Sequence, residues 1–243
     1  MDKKTNGVKM KKKETRILSS INLTTTLIKY FPERIIKIYI TENKNEKLKK
    51  LIKKRGLDYT EVKNPLTQDK KGIHQHVWIE ALPFKYYDPE DLVNLKRILI
   101  LDQVSDPYNF GSVARTAYQM GFEAIIIQNR NSVDVTPTVS RVSTGGIEFL
   151  KVVRVVNIRK TMQFLKENEF TVYTLDAKGD PLSNIKFSDK TVLIIGNEGK
   201  GVRYQIKQES DKLISIPMVG KLDSLNLSNA FAIAAWEANK DFL

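Results

Sequence analysis

Asp106-Pro107-Tyr108-Asn109-Phe110-Gly111-Ser112-Val113-Ala114-Arg115 places polar groups and a glycine where an apolar strand, residues 97–101, hands over to a helix. Two distant segments repeat the arrangement. Gly196-Asn197-Glu198-Gly199-Lys200-Gly201 follows the apolar run 192–195. Ile216-Pro217-Met218, then Ser224-Leu225-Asn226-Leu227-Ser228, follows the run 213–216 and leads into an apolar, alanine-rich helix. One such junction is ordinary. Three of the same kind predict a single site at the carboxyl edge of an α/β sheet, where open α/β folds bind their ligands.

Outward from these segments, strands and helices alternate from Leu92 to the end. The pattern predicts strands at 97–101, 124–127, 151–155, 171–175, 192–195 and 213–216. It predicts helices at 110–120, 158–168, 203–209 and 225–240. Nearly continuous Val, Ile and Leu in the strands means a parallel sheet with both faces covered by helices. Before residue 81 a smaller α/β unit is expected, with helices at 21–30 and 44–55 and strands at 35–40, 59–62 and 76–79. Gly56 is the expected stop of the second helix. The organisation reads as a flexible basic tail (1–16), a small α/β domain (17–80), a linker with two prolines (81–92) and a main α/β domain (93–243).

The chain has 243 residues, is 41% hydrophobic and contains no cysteine. A real core is expected, while disulfides and thiolate metal sites are excluded. Two histidines, His74 and His76, leave little scope for a metal centre, so no metal is expected. The basic, polar amino terminus is no secretory signal. No apolar run approaches the ~18 residues of a membrane span, and a cytoplasmic protein without a membrane partner is the simplest reading. The net charge of +12 is unevenly placed: +5 in residues 1–16, +6 in 17–80 and +1 in 81–243. A field of this kind attracts polyanions such as RNA or DNA. The plain alternative is a compositional bias towards Lys, Asn and Ile with no partner behind it.

Each chemistry-bearing segment also has an ordinary structural explanation. Asn109 can cap a helix. Gly111 would then lie in a first helical turn, where glycine costs roughly 1 kcal/mol against alanine. Its missing side chain would leave room for a ligand beside Arg115, four residues on. Arg115 would stand near the positive end of the helix dipole, an awkward place for a cation without an anion nearby. The loop 196–201 fits neither a Walker A loop, because Val202-Arg203 replace Lys-Ser/Thr, nor a dinucleotide fingerprint, because Tyr204 stands where the last glycine belongs. Glu198 would repel phosphate, so a cationic or hydroxyl-bearing ligand suits this loop better. Asp223 or Ser224 can cap the last helix, and Asn226 and Ser228 can compete for its first backbone donors. Ser143-Thr144-Gly145-Gly146 is a turn or a ligand edge.

Together the three segments resemble the SpoU (TrmH-like) family of RNA ribose 2′-O-methyltransferases over residues 93–243. The first motif's Asn, Gly and Arg fall on Asn109, Gly111 and Arg115. The second motif's Gly-x-Glu-Gly falls on Gly196, Glu198 and Gly199. The third falls on Ile216-Pro217-Met218 and Ser224-Leu225-Asn226. The first eighty residues resemble the ribosomal-protein-like RNA-binding domain of the subfamily that methylates a guanosine in 23S rRNA, with His74-Gln75-His76 where that subfamily usually has His-Gln-Gly. The resemblance implies a deep trefoil knot in the carboxyl-terminal domain and a homodimer in which the Arg115 region works across the interface. It implies S-adenosylmethionine as cofactor, held by Thr144, Leu175, Gly196, Ile216, Met218 and Leu225, and a catalytic set of Asn109, Arg115, Glu198, Ser224 and Asn226. The expected activity is 2′-O-methylation of a 23S rRNA guanosine. The same reaction on tRNA or another rRNA site, and a non-catalytic RNA-binding assembly factor, are the alternatives.

Overall fold

The computed structural model describes residues 15–63, 75–222 and 224–240. Most of the expected basic tail, His74 and Asp223 lie outside the described residues.

The amino-terminal unit runs β1 (Arg16–Ser19), α1 (Ile21–Tyr30), β2 (Ile35–Thr41), α2 (Glu46–Lys54), β3 (Thr60–Val62) and β4 (Val77–Ala81). Its sheet has the order β1-β4-β2-β3. β4 lies antiparallel to β1 and β2, and β3 lies parallel to β2. Leu18, Leu27, Ile38, Ile52 and Ile79 form the buried core beneath both helices. Gly56 stops α2 with φ +67°, as expected. β1 was not expected: it begins at Arg16, within the stretch read as tail. Four residues with a single fully buried Leu18 offer no period to read.

The second unit runs β5 (Tyr86–Tyr87), β6 (Arg97–Asp102), α3 (Pro107–Gln119), β7 (Ala124–Gln128), α4 (Pro137–Val142), β8 (Lys151–Val155), α5 (Ile158–Glu167), β9 (Thr171–Pro181), β10 (Thr191–Gly196), α6 (Tyr204–Glu209), β11 (Lys212–Ser215) and α7 (Leu227–Asn239). The seven strands take the order β11-β9-β10-β6-β7-β8-β5, and every pairing is parallel. Successive residues of the central strands feed opposite faces. Leu99, Leu101, Ile125, Ile127, Leu193 and Ile195 join the core under α3 and α7. Ile98, Ile100, Ala124, Ile126, Val192 and Ile194 join the core under α5 and α6. This double burial is why the strands read as unbroken apolar runs.

Several boundaries differ from expectation. α3 starts at Pro107, and its cap is Asp106, whose carboxylate accepts from Tyr108 N and Asn109 N. Asn109 is therefore not the cap, and Gly111 is not in the first turn. Arg115 lies towards the carboxyl end of α3, so its tension with the dipole disappears. α4 was not foreseen, although Thr136-Pro137 is a start signal: the Thr136 hydroxyl accepts from Val139 N, with proline at the first helical position. α7 is capped by Asn226 rather than by Asp223 or Ser224.

The stretch read as a linker is packed. Leu82 N donates to Arg34 O at 2.9 Å, and Tyr86–Tyr87 form the edge strand beside β8. The two units are joined by a buried carboxylate. Glu148, with no exposed side-chain surface, pairs with Arg16 at 3.1 Å and Arg34 at 2.5 Å. Both guanidiniums also lie over the Phe84 ring, 5.3 and 5.5 Å from its centroid.

Candidate active site

Strand register brings the three segments together. β10 pairs with β6 so that Gly196 stands opposite Asp102. The loops that follow leave the same sheet edge side by side, at the point where the strand order changes direction. Asn197 Nδ2 donates to Gln103 O at 3.3 Å and ties the two loops. The same residue folds the second loop back on itself, accepting from Gly201 N at its carbonyl (2.7 Å) and from Gly199 N at its side chain (3.0 Å). Glycine is required at 196, because a Cβ there would fall 2.2 Å from the Gly201 carbonyl carbon.

An ion pair that the sequence reading missed locks this turn. The fully buried Asp102 carboxylate accepts from Arg203 N (2.9 Å), and the Arg203 side chain returns to it at 2.7 Å. Arg203 also donates to Gln128 at the end of β7 (2.9 Å). The only signal was an aspartate closing the apolar run Ile98-Leu99-Ile100-Leu101, where burial demands a partner.

The third segment arrives through an irregularity in β9. β11 pairs Leu213 with Thr174 and then Ile214 with Asp180, so residues 175–179 bulge out of the pairing. Gly179 permits the crossing, since a Cβ there would stand 2.4 Å from Ile214 N. The bulge carries Leu175 and Asp176 against Ile216, Met218 and Leu225, and these five line one pocket with Ser224. Four of the residues expected to hold a cofactor therefore share a wall. The Asp176 carboxyl is half-buried, and burial alone would raise its pKa. The Lys207 ammonium at 2.5 Å and the Lys178 backbone N–H outweigh that and hold it below the usual carboxylate value.

Asn226 joins the second and third segments. Its Nδ2 donates to Glu198 Oε1 at 2.8 Å, while its Oδ1 accepts from Ser228 N (3.0 Å) and Ser228 Oγ (2.7 Å). The capping explanation and the site explanation hold for the same amide.

Arg115 and Thr144 lie elsewhere. They line a second pocket between α1 and α3, which shares no residue with the pocket beside Leu225. Gly111 makes no room there for a ligand: a Cβ would fall 2.6 Å from Val142 Cβ, so the glycine serves the packing of α3 on α4. Ser143–Gly146 proves to be both turn and pocket wall. A Cβ on Gly145 would meet Thr26 Cγ2 of α1 at 2.8 Å, and Gly146 backs onto Arg115 Cα. No group of three or more His, Asp or Glu that could hold a metal occurs among the described residues, and no helix among them is long and apolar enough to cross a membrane.

A parallel α/β sheet with a pocket beside β9 and β11, walled by aliphatic side chains and adjoining an Asn–Glu pair, has the build of a small-molecule-binding α/β protein. Residues 96–236 match the SpoU rRNA Methylase family, and the chain belongs to that family. YacO of Bacillus subtilis strain 168, a putative TrmH family tRNA/rRNA methyltransferase, is 34% identical over 217 residues, which is 84% of this chain and 87% of that protein. An uncharacterized tRNA/rRNA methyltransferase of Borreliella burgdorferi is 44% identical over 144 residues, 59% of this chain and 63% of its own length. Among solved structures, the SpoU methyltransferase AviRb of Streptomyces viridochromogenes in complex with AdoMet is similar in fold. Its TM-score is 0.75 at 22% identity, covering 93% of this chain and 89% of that one.

Proposed function

We propose that this protein is an S-adenosylmethionine-dependent enzyme that methylates a ribose 2′-oxygen in RNA, a guanosine of 23S rRNA being the favoured target. The observation that carries the reading is the shared pocket of Leu175, Ile216, Met218 and Leu225 beside the Asn226–Glu198 pair. Aliphatic walls suit an adenine ring, and a chain turning back at 175–179 and 216–218 offers backbone groups to its edges.

S-adenosylmethionine supplies a sulfonium-activated methyl group. The protein must align the ribose hydroxyl with that carbon and assist loss of its proton. Glu198, held by Asn226, presents a carboxylate at the rim, and Ser224 adds a hydroxyl to the pocket wall. Asn109 shapes the opening of α3. The part of Arg115 is to bind the phosphate next to the target and favour ionisation of the hydroxyl.

Arg115 does not share the Leu225 pocket within one chain, which suits a homodimer that supplies it from the partner. Ile233 and Trp236 remain exposed on the outer face of α7, an apolar surface for such contact. The reading includes the family's trefoil knot, in keeping with the start of α7 being tied to the 196–201 loop, and a cytoplasmic location.

A second reading keeps the reaction and changes the substrate to tRNA. The names of both relatives pair tRNA with rRNA, which favours testing it. Transfer of labelled methyl from S-adenosylmethionine to 23S rRNA transcript and to total tRNA, with mapping of 2′-O-methyl positions, separates the two. RNA binding with no S-adenosylmethionine binding by calorimetry and no transfer to either RNA would turn the assignment to a non-catalytic RNA-binding factor.

A further inference from the structure

We propose that the pocket between α1 and α3 receives an unstacked base of single-stranded RNA, next to the nucleotide that Arg115 engages; the inference rests on the RNA methyltransferase reading. The pocket is built jointly by the two units and has a volume of about 330 Å³, within the roughly 300–1,000 Å³ of sites for small ligands. Tyr30 comes from α1, Arg115, Tyr118 and Gln119 from α3, and Thr144 and Phe149 from the segment after α4.

The aromatic groups are arranged as a stacking platform. Tyr118 lies flat on Phe149, with ring centroids 4.3 Å apart and planes 15° apart, while Tyr30 meets the same Phe149 edge-on at 5.3 Å. Phe149 is thus partly buried, whereas Tyr118 and Tyr30 remain 38% and 60% exposed. An exposed Tyr backed by a second ring can stack a base without reorganising. Splayed bases on aromatic or guanidinium planes are how proteins read single-stranded RNA.

Polar groups stand where a base and its phosphate would place theirs. The Gln119 amide can donate to and accept from a base edge, and the Arg115 guanidinium can hold the adjoining phosphate. The wall is held in a rare conformation. Thr144 has φ +53°, and its carbonyl accepts from Thr26 Oγ1 of α1 at 2.9 Å. Backbone held in this region by a contact from another unit is a mark of built sites. The pocket exists only while the amino-terminal unit is docked, so it links the basic module to the arginine.

The test measures binding of the full chain to single-stranded adenosine and uridine RNA pentamers, and to an abasic ribose-phosphate pentamer, by fluorescence anisotropy at two salt concentrations. Tyr118→Leu should weaken binding to the base-bearing pentamers about tenfold and leave the abasic pentamer and the salt slope unchanged, because no charge is removed. Tyr118→Phe should keep wild-type affinity, which excludes a simple folding defect. Equal affinities for wild type and Tyr118→Leu, or equal losses on the abasic pentamer, would overturn the inference. If wild-type protein meanwhile transfers methyl to RNA, the enzymatic reading stands and only this pocket's role falls. Wild-type protein that neither binds nor methylates any RNA removes both.

Discussion

Asn226 faces two ways: its Nδ2 gives a hydrogen bond to Glu198 Oε1 at 2.8 Å, and its Oδ1 takes one from the backbone N–H of Ser228. One amide thereby anchors a charged loop to the start of the last helix. The two ends of this link should be energetically coupled. Asn226→Ala alone loses both the cap, worth about 1 kcal/mol of stability, and the orientation of Glu198. Glu198→Ala alone loses the carboxylate. Because each removes the same bond, the double variant should lower the methyl-transfer rate by little more than the worse single variant, with a coupling of about 1 kcal/mol. Strictly additive rate losses would sink the idea that the pair acts together.

Asp102 is a larger commitment of stability. It is fully buried, and Arg203 reaches it from a side chain that is one-third exposed. Breaking a buried pair costs 3–5 kcal/mol when the orphaned charge has no water. Here Arg203 can partly escape to solvent, so Asp102→Ala should destabilise by about 2–3 kcal/mol in urea unfolding. Asp102→Asn keeps an acceptor for Arg203 N and should lose less. Equal losses in the two variants would contradict this account of the turn.

The Asp176–Lys207 contact gives a pH signature. The carboxyl pKa is held down in the folded chain by Lys207 and the Lys178 N–H, in spite of burial. A depressed folded pKa means stability that is fully present above the unfolded value of about 3.9 and is lost as pH falls through the folded value. Asp176→Asn should therefore be less stable than wild type at pH 7. The gap should close as the pH drops below about 4. A gap that is constant, or wider in acid, would show that the carboxylate's charge is not what matters there.

Gly111 separates two opposed effects. Alanine in place of glycine inside a helix normally gains about 1 kcal/mol. At this site the new Cβ would stand 2.6 Å from Val142 Cβ and 3.1 Å from Val139 O. Overpacking of that kind costs about 1–3 kcal/mol, so Gly111→Ala should be net destabilising in thermal melts. A raised melting temperature would mean that α3 and α4 are free to separate.

The strand pattern of the main sheet was legible because both faces are buried, so an apolar run needed no phase to be recognised. Helix α1 was legible from end to end, and the three chemistry-bearing loops were placed at the correct strand ends. What escaped notice had weak local signals. β1 and β5 are four and two residues long. The continuation of β9 to Pro181 was hidden by Lys178-Gly179-Asp180, which reads as a turn, although its glycine is there for the approach of Ile214. The partner of Asp102 lies 101 residues away, and the partners of Glu148 lie 132 and 114 residues before it. Arg115 was read on the correct helix but in the wrong turn, because Asp106 and Pro107 begin α3 earlier than Asn109 would.

Glu148 offers the sharpest test of how the two units work together. Its buried carboxylate holds Arg16 and Arg34 of the amino-terminal unit, and Phe84 lies under both guanidiniums. Neutralising it leaves two cations facing each other with little water, a loss of about 3–5 kcal/mol when one partner of a buried pair is removed. The loss falls on the docking of the units and not on either core, since the clusters around Ile38 and Leu99 do not include it. Glu148→Gln should therefore split a single thermal transition into two. S-adenosylmethionine affinity should change little, because the Leu225 pocket contains no residue of the amino-terminal unit. Methylation of RNA should fall sharply, because the basic unit no longer stands in register with Arg115. Unchanged transfer with a split transition would mean that the amino-terminal unit guides RNA without being docked.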